Sequence, residues 1–276
     1  MYLVNSKKSG LLFVAVTIIW TWGVLAVPIT GGLDFNNTVT RFVYLLAGGS
    51  PSIIGLIFVL LSGDRAYIRS FLKRIITVGH ARAKGLLTVF TLVPAITLLS
   101  AYASFLLTSV YQDFSILSTY FKDLTKLIIF AAFTFIFGPL AEEIGWRGYL
   151  MDCWKNKGIL VYGAGIGFIW TIWHLPMFFI AGTYQNVLLI HGAIPVMCFA
   201  LSTTALGIII GHITKITDSI LLAILFHFTI NFTGEIIPLE LTGEIIKTII
   251  LTVIASGIIY GAQGKRRLCN ETGRQA

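Results

Sequence analysis

Long apolar runs recur along the whole chain, and they restrict its fold more than any other feature. A helix needs about 20 apolar residues to cross the hydrocarbon core of a bilayer, and eight runs approach that length. With 56% hydrophobic and only 12% charged residues among 276, the composition excludes a soluble globular domain. We therefore predict an all-α integral membrane protein, a bundle of about eight transmembrane helices in a single domain, 1–276. The predicted spans are 11–27, 42–61, 85–109, 124–141, 159–180, 187–210, 219–232 and 245–260.

The chain carries a formal net charge of +8, which in a soluble protein would suggest a nucleic-acid partner. In a membrane protein, basic residues instead accumulate in loops on the cytoplasmic side. With eight spans, sixteen of the 20 lysine and arginine residues, Arg82 and Arg274 among them, fall in the two termini and the even-numbered loops. We therefore expect both termini in the cytoplasm, the lipid bilayer as a partner and no nucleic-acid partner.

Two segments are rich in glycine, 163–167 and 207–211. Small residues allow membrane helices to approach each other closely. We therefore expect these segments to be helix contacts rather than parts of a functional site.

Two adjacent carboxylates, Glu142 and Glu143, follow directly after the apolar run 124–141. Charged groups at the margin of the hydrocarbon are costly unless they are hydrogen-bonded or paired. On a helix, Glu143 and Arg147 are four residues apart and lie on one face, so they are expected to form an ion pair. Glu142 is turned by roughly 100° from Glu143 and is left without that partner. A reaction is the best explanation for this remaining carboxylate.

Three other polar groups lie inside apolar runs: His174 in one span, and His227 with Asn231 in another. His227 and Asn231 are four residues apart and share one helix face. Any one of these groups alone is commonly explained by a hydrogen bond to a neighbouring helix. Together with Glu142, they supply a base, two imidazoles and an amide. That set is suited to deprotonating water, holding a carbonyl group and stabilising an oxyanion.

Other hydrolytic centres are less well supported by the sequence. Glu142, His174 and His227 satisfy a catalytic zinc site by number, but no histidine is followed by glutamate as in the His-Glu-x-x-His signature. A Gly-x-Ser-x-Gly nucleophile motif is absent, and no aspartate lies within a predicted span. Cys153, Cys198 and Cys269 lack metal-type spacing. Zinc therefore stays open as an alternative, and no cofactor is the primary expectation.

Three motifs on three separate predicted helices carry a family resemblance. They are Glu142-Glu143-x-x-x-Arg147, Trp170-x-x-x-His174 and His227-x-x-x-Asn231. In order and spacing they resemble the CPBP family, the CAAX-processing proteases and bacteriocin-processing enzymes that are also called the Abi family. One departure is Trp170, which stands where the family usually has phenylalanine.

The resemblance implies a metal-free, glutamate-dependent reaction within a membrane cavity. It implies that Glu142 activates the attacking water, and that His174 and His227 position this water or polarise the carbonyl group. It further implies that Asn231 helps His227 to stabilise the oxyanion. Supporting roles are implied for Glu143, Arg147 and Trp170.

We therefore predict an intramembrane endopeptidase that cleaves near the C-terminus of a membrane-bound peptide or a prenylated CAAX-type protein. Its active site is expected to be accessible from the cytoplasmic side. Three alternatives remain open at this point. They are a proton-coupled transporter that uses the same polar groups as a pathway, an inactive membrane scaffold, and a zinc-dependent version of the protease.

Overall fold

The computed structural model describes residues 7–81 and 83–272, which form twelve helices and no strand within that part of the chain. The predicted all-α class is therefore confirmed. The helices are α1 (Lys7–Thr30), α2 (Thr38–Gly48), α3 (Ser50–Leu60), α4 (Arg65–Ile76), α5 (Ala83–Thr108), α6 (Ser115–Lys122), α7 (Leu124–Trp154), α8 (Leu160–Phe179), α9 (Tyr184–Ile190), α10 (Ala193–Thr217), α11 (Ile220–Ile236) and α12 (Leu241–Thr272).

Short polar side chains determine where several of these helices begin. The side chain of Asn37 accepts a hydrogen bond from the Val39 amide at 2.9 Å at the start of α2. Asp64 does the same for the Ala66 amide of α4 at 2.9 Å. These caps satisfy amide groups that have no partner within the first turn of a helix.

The number of full transmembrane spans is lower than predicted. Six helices are long and apolar enough to cross a bilayer, or seven if α2 and α3, which are bent by 40° at Gly49, form one span. The predicted span 219–232 corresponds to α11, which has 17 residues and a length of about 25 Å. The hydrocarbon core is about 30 Å thick, so the prediction of eight full spans was wrong.

Helix α7 differs most from its prediction, because it continues to Trp154 instead of ending at Ala141. Two π-helical segments, Ile136–Leu140 and Ile144–Leu150, flank the two glutamates. Pro139 lies in the first segment, and its lack of an N–H group interrupts the α-helical hydrogen-bonding pattern. Glu142 therefore lies well inside the span, twelve residues before its end, and not at its margin.

Several loops that were predicted to share one side meet at the same end of the bundle. The His80 amide donates to the Thr217 carbonyl at 2.7 Å, and Ser219 Oγ donates to the Thr77 carbonyl at 2.6 Å. Arg74 pairs with Asp152 at the end of α7. We call this the basic end, formed by residues 61–81, 152–158 and 215–219. Residues 1–6 and 273–276, together with Arg82, lie outside the described residues, so the expected position of both termini stays a prediction.

Glycines allow the helices around the site to approach each other closely, as the glycine-rich segments predicted. The Cβ of an alanine at Gly207 would overlap the Cα of Gly167, and one at Gly211 would lie 3.3 Å from the Cα of Gly163. These contacts hold α8 against α10. A Cβ at Gly145 would likewise overlap the Pro51 carbonyl, which brings α3 into close contact with α7 near Glu142.

We expect Gly207→Ala to destabilise the protein by about 1–3 kcal/mol, because overpacking of a tight contact forces the backbone to shift. Gly257→Ala in α12 is the matched control, since nothing lies within 4 Å of its added Cβ. The control should keep or slightly raise the midpoint of thermal unfolding in detergent, in line with the helix propensity of alanine. Equal midpoints for the two variants would show that the α8–α10 contact is not as close as described.

Candidate active site

The predicted site residues come from α7, α8 and α11, and the structure brings six of the seven together. Glu142, Glu143, Arg147, Trp170, His174 and His227 are all buried. The charged and polar groups of this set must therefore satisfy each other within the bundle. Asn231 is partly exposed and is described separately below.

Trp170 lies at the centre of this group. Its indole Nε1–H donates to Glu142 Oε2 at 2.6 Å, and its backbone carbonyl accepts from His174 Nδ1 at 2.7 Å. The indole ring also meets the His227 ring edge to face, with centroids 4.9 Å apart. One residue thus contacts the predicted base and both predicted imidazoles.

A second network joins α7 to α11 through one carboxylate oxygen. Glu143 Oε1 accepts from Arg147 Nη1 at 2.8 Å and from His227 Nδ1 at 2.7 Å. The Arg147 guanidinium also lies over the Trp170 ring, 4.6 Å from its centroid. The predicted pair of Glu143 and Arg147 is confirmed, whereas the bond from His227 was not foreseen.

These hydrogen bonds determine which nitrogen of each histidine carries a proton. A carbonyl or an ionised carboxylate only accepts, so Nδ1–H is the donor in both His174 and His227. The Nε2 atom of each ring then remains for a ligand, as an acceptor in the neutral ring and as a donor in the protonated one. Within the described residues, Glu142 Oε1 also has no hydrogen-bond partner. A carboxylate oxygen and two imidazole nitrogens are therefore free to act on a water molecule or a substrate.

Asn231 lies four residues after His227 on α11 and faces the same helix, α7. An added Cβ at Gly138 would be 2.8 Å from Asn231 Nδ2, so the amide lies directly beside the first π-helical segment. Among the described residues, the Asn231 side chain makes no hydrogen bond. Its N–H groups therefore remain available as donors, next to the network but not part of it.

Two residues near the site were not identified from the sequence. The Tyr44 hydroxyl on α2 donates to the Met177 sulfur at 3.3 Å, and Tyr44 lies within electrostatic range of Glu142. Phe199 on α10 meets the His174 ring edge to face at 5.3 Å. Both lie in ordinary apolar runs, so no spacing or charge pattern distinguishes them from core residues.

The donor set proposed for zinc was tested against this arrangement. In residues 7–81 and 83–272, no three His, Cys, Asp or Glu side chains are grouped so that they could hold a metal ion. Glu142 Oε2 accepts from an indole N–H, and both histidine Nδ1 atoms are already hydrogen-bonded. The side chains as arranged do not fit a metal site, and a zinc-dependent reaction remains a hypothesis for experiment.

The segment that carries all seven site residues is also the segment that matches a known family. A family model described as Type II CAAX prenyl endopeptidase Rce1-like matches residues 124–233. CAAX prenyl protease 2 of Methanococcus maripaludis is 30% identical over 257 residues, which cover 90% of this chain and 90% of that protein. The family predicted from the three motifs is thereby confirmed. The chain belongs to the Rce1-like family of type II CAAX prenyl endopeptidases, and it is a membrane-embedded hydrolase of that type.

Proposed function

We propose that the protein hydrolyses a peptide bond near the C-terminus of a membrane-associated substrate with a prenylated CAAX-type tail. Glu142 acts as the general base, and no metal takes part. The observation that carries this proposal is the contact of Trp170 with Glu142, His174 and His227 at once. The substrate class is supported by the name of the similar archaeal protein, a CAAX prenyl protease.

In this proposal, a water molecule binds between Glu142 Oε1 and His174 Nε2. Glu142 takes a proton from the water, and the resulting hydroxide attacks the carbonyl carbon of the scissile bond. The proton on Glu142 then passes to the nitrogen of the leaving amine as the C–N bond breaks. This transfer restores the carboxylate, so that no external reagent is consumed.

The oxyanion formed during the attack needs hydrogen-bond donors. Asn231 Nδ2 supplies one, and His227 Nε2 supplies the other when the ring is protonated. The Glu143 carboxylate, which accepts from His227 Nδ1 at 2.7 Å, stabilises the charged ring. Glu143 and Arg147 thus act as positioning residues, because they hold His227 in the orientation and protonation state that an oxyanion requires.

We further propose that the basic end faces the cytoplasm and that substrates enter the site from that side. The support is the concentration of lysine and arginine there, which matches the charge rule for cytoplasmic loops. Helix α1 begins near this end, since an added Cβ at Gly10 would lie 3.0 Å from the Cβ of Cys153.

We expect Glu142→Gln to lower kcat/KM by about 10²- to 10⁴-fold, the usual contribution of a general base. Glutamine keeps the size of the side chain and still accepts from Trp170, so folding should be retained. The measurement is cleavage of a farnesylated peptide, with Glu235→Gln on the exposed part of α11 as the matched control. Wild-type turnover in the Glu142 variant would refute the general-base assignment.

We expect Trp170→Phe to lower kcat about 10- to 100-fold with little change in KM, because it removes one hydrogen bond to a charged group and keeps the ring. Trp173→Phe is the matched control. Trp173 is equally buried, but its Nε1–H donates to Thr21 Oγ1 at 2.7 Å, away from Glu142. The control should lower the unfolding temperature more than kcat. If both variants show the same pattern, the Trp170 bond does not position the base.

We expect peptide cleavage to persist after exhaustive treatment with chelators, because the proposed proton transfers use only side chains of this chain. Cleavage is measured before and after dialysis against EDTA and 1,10-phenanthroline, with and without added zinc. Activity that is lost on chelation and restored by zinc would replace this mechanism with the zinc-dependent alternative. Analysis of the purified protein for bound metal provides an independent check.

A further inference from the structure

The outward face of α4 carries a stripe of unpaired positive charge. Arg65, Arg69 and Lys73 follow each other at intervals of four residues and are all exposed. Within the described residues none of the three forms an ion pair. Asp64, the acidic neighbour of the stripe, caps the helix through bonds to the Ala66 and Tyr67 amides. The stripe is therefore available to an anionic partner.

Large aliphatic side chains lie on the same face. Leu72 is 46% exposed and Ile76 is 76% exposed. At 3.6 residues per turn, both point within about 40° of the direction of Arg65. A face that combines exposed aliphatic and basic side chains is typical of a helix lying in the headgroup layer, where long basic side chains reach the phosphates.

The inward face of α4 is firmly attached, so its outward face has a defined direction. Phe71 is fully buried, and an added Cβ at Gly148 of α7 would lie 2.7 Å from its ring. Arg74 forms an ion pair with Asp152, and the Tyr67 hydroxyl donates to the same carboxylate at 3.1 Å. The helix therefore cannot rotate to bury Leu72 and Ile76 against the bundle.

The chain on either side keeps α4 close to the membrane surface. Four residues separate it from the end of α3, and six separate it from the start of α5. Since α5 is long and apolar enough to span the bilayer, these short connections hold α4 at the level of the headgroups. At this depth, Leu72 and Ile76 reach the acyl boundary while the basic side chains reach phosphate.

We propose that the outward face of α4 is a binding surface for anionic phospholipids, with Arg65, Arg69 and Lys73 contacting the headgroups and Leu72 and Ile76 entering the acyl boundary. The expected ligand is a phospholipid with a net negative headgroup, as opposed to a zwitterionic one. Each basic side chain near an anionic surface contributes roughly a fivefold preference. This surface is separate from the proposed catalytic residues.

The test is native mass spectrometry of the purified protein released from nanodiscs that contain phosphatidylcholine and phosphatidylglycerol. We expect the wild type to retain phosphatidylglycerol at least tenfold over phosphatidylcholine. Arg69→Gln combined with Lys73→Gln should lower this preference about tenfold or more. Arg69→Lys should keep it, because the charge is retained. Peptide cleavage in detergent should be unchanged in all of these variants, which shows that they are folded.

The matched control is Lys122→Gln combined with Lys126→Gln, which removes the same charge from the opposite end of the molecule. It should leave the lipid preference unchanged. Equal losses in the two double variants would mean that net charge alone attracts the lipid, and this would overturn the proposal. A wild type that retains both lipids equally would also overturn it and would leave the face to another occupant, such as a soluble protein.

Discussion

The Glu143 carboxylate is the group on which the rest of the site depends. Its Oε1 accepts hydrogen bonds from Arg147 within α7 and from His227 on α11, so one buried anion joins two helices and orients one imidazole. Removing one partner from such a buried pair typically costs about 3–5 kcal/mol, because the other charge is left without compensation. The same interaction therefore stabilises the bundle and determines where His227 presents its free nitrogen.

The backbone of α7 makes this arrangement possible. A regular α-helix would place Glu142 and Glu143 on adjacent directions along a straight axis, whereas two π-helical segments flank them here. Segments of this kind occur frequently at functional sites, since they widen the helix locally and redirect side chains. Gly145 brings α3 against the second segment, which closes the side of α7 behind the carboxylates. Helix geometry and close packing thus direct Glu142 towards Trp170 and Glu143 towards His227.

Much of the site was predictable because polar groups in apolar runs are costly and therefore informative. Glu142, His174 and His227 were identified in this way, and the spacing of Glu143 and Arg147 predicted their ion pair. The end of α7 was predicted wrongly for a related reason. Two adjacent glutamates resemble the end of an apolar run, but Arg147 and His227 compensate the buried charge and allow the helix to continue within the bundle. The count of eight spans failed because hydropathy does not report helix length, and α11 is too short.

The sequence by itself determined the membrane environment, the all-α class and the contacts between residues four positions apart on one helix, because these follow from composition and helical periodicity. Only the tertiary structure decided that Trp170 donates to Glu142, 28 positions away, and that His227 donates to Glu143, 84 positions away. It also decided which nitrogen of each histidine is free. Such contacts depend on how α7, α8 and α11 pack against each other, and this packing is set by glycine contacts and helix bends that no local pattern in the sequence specifies.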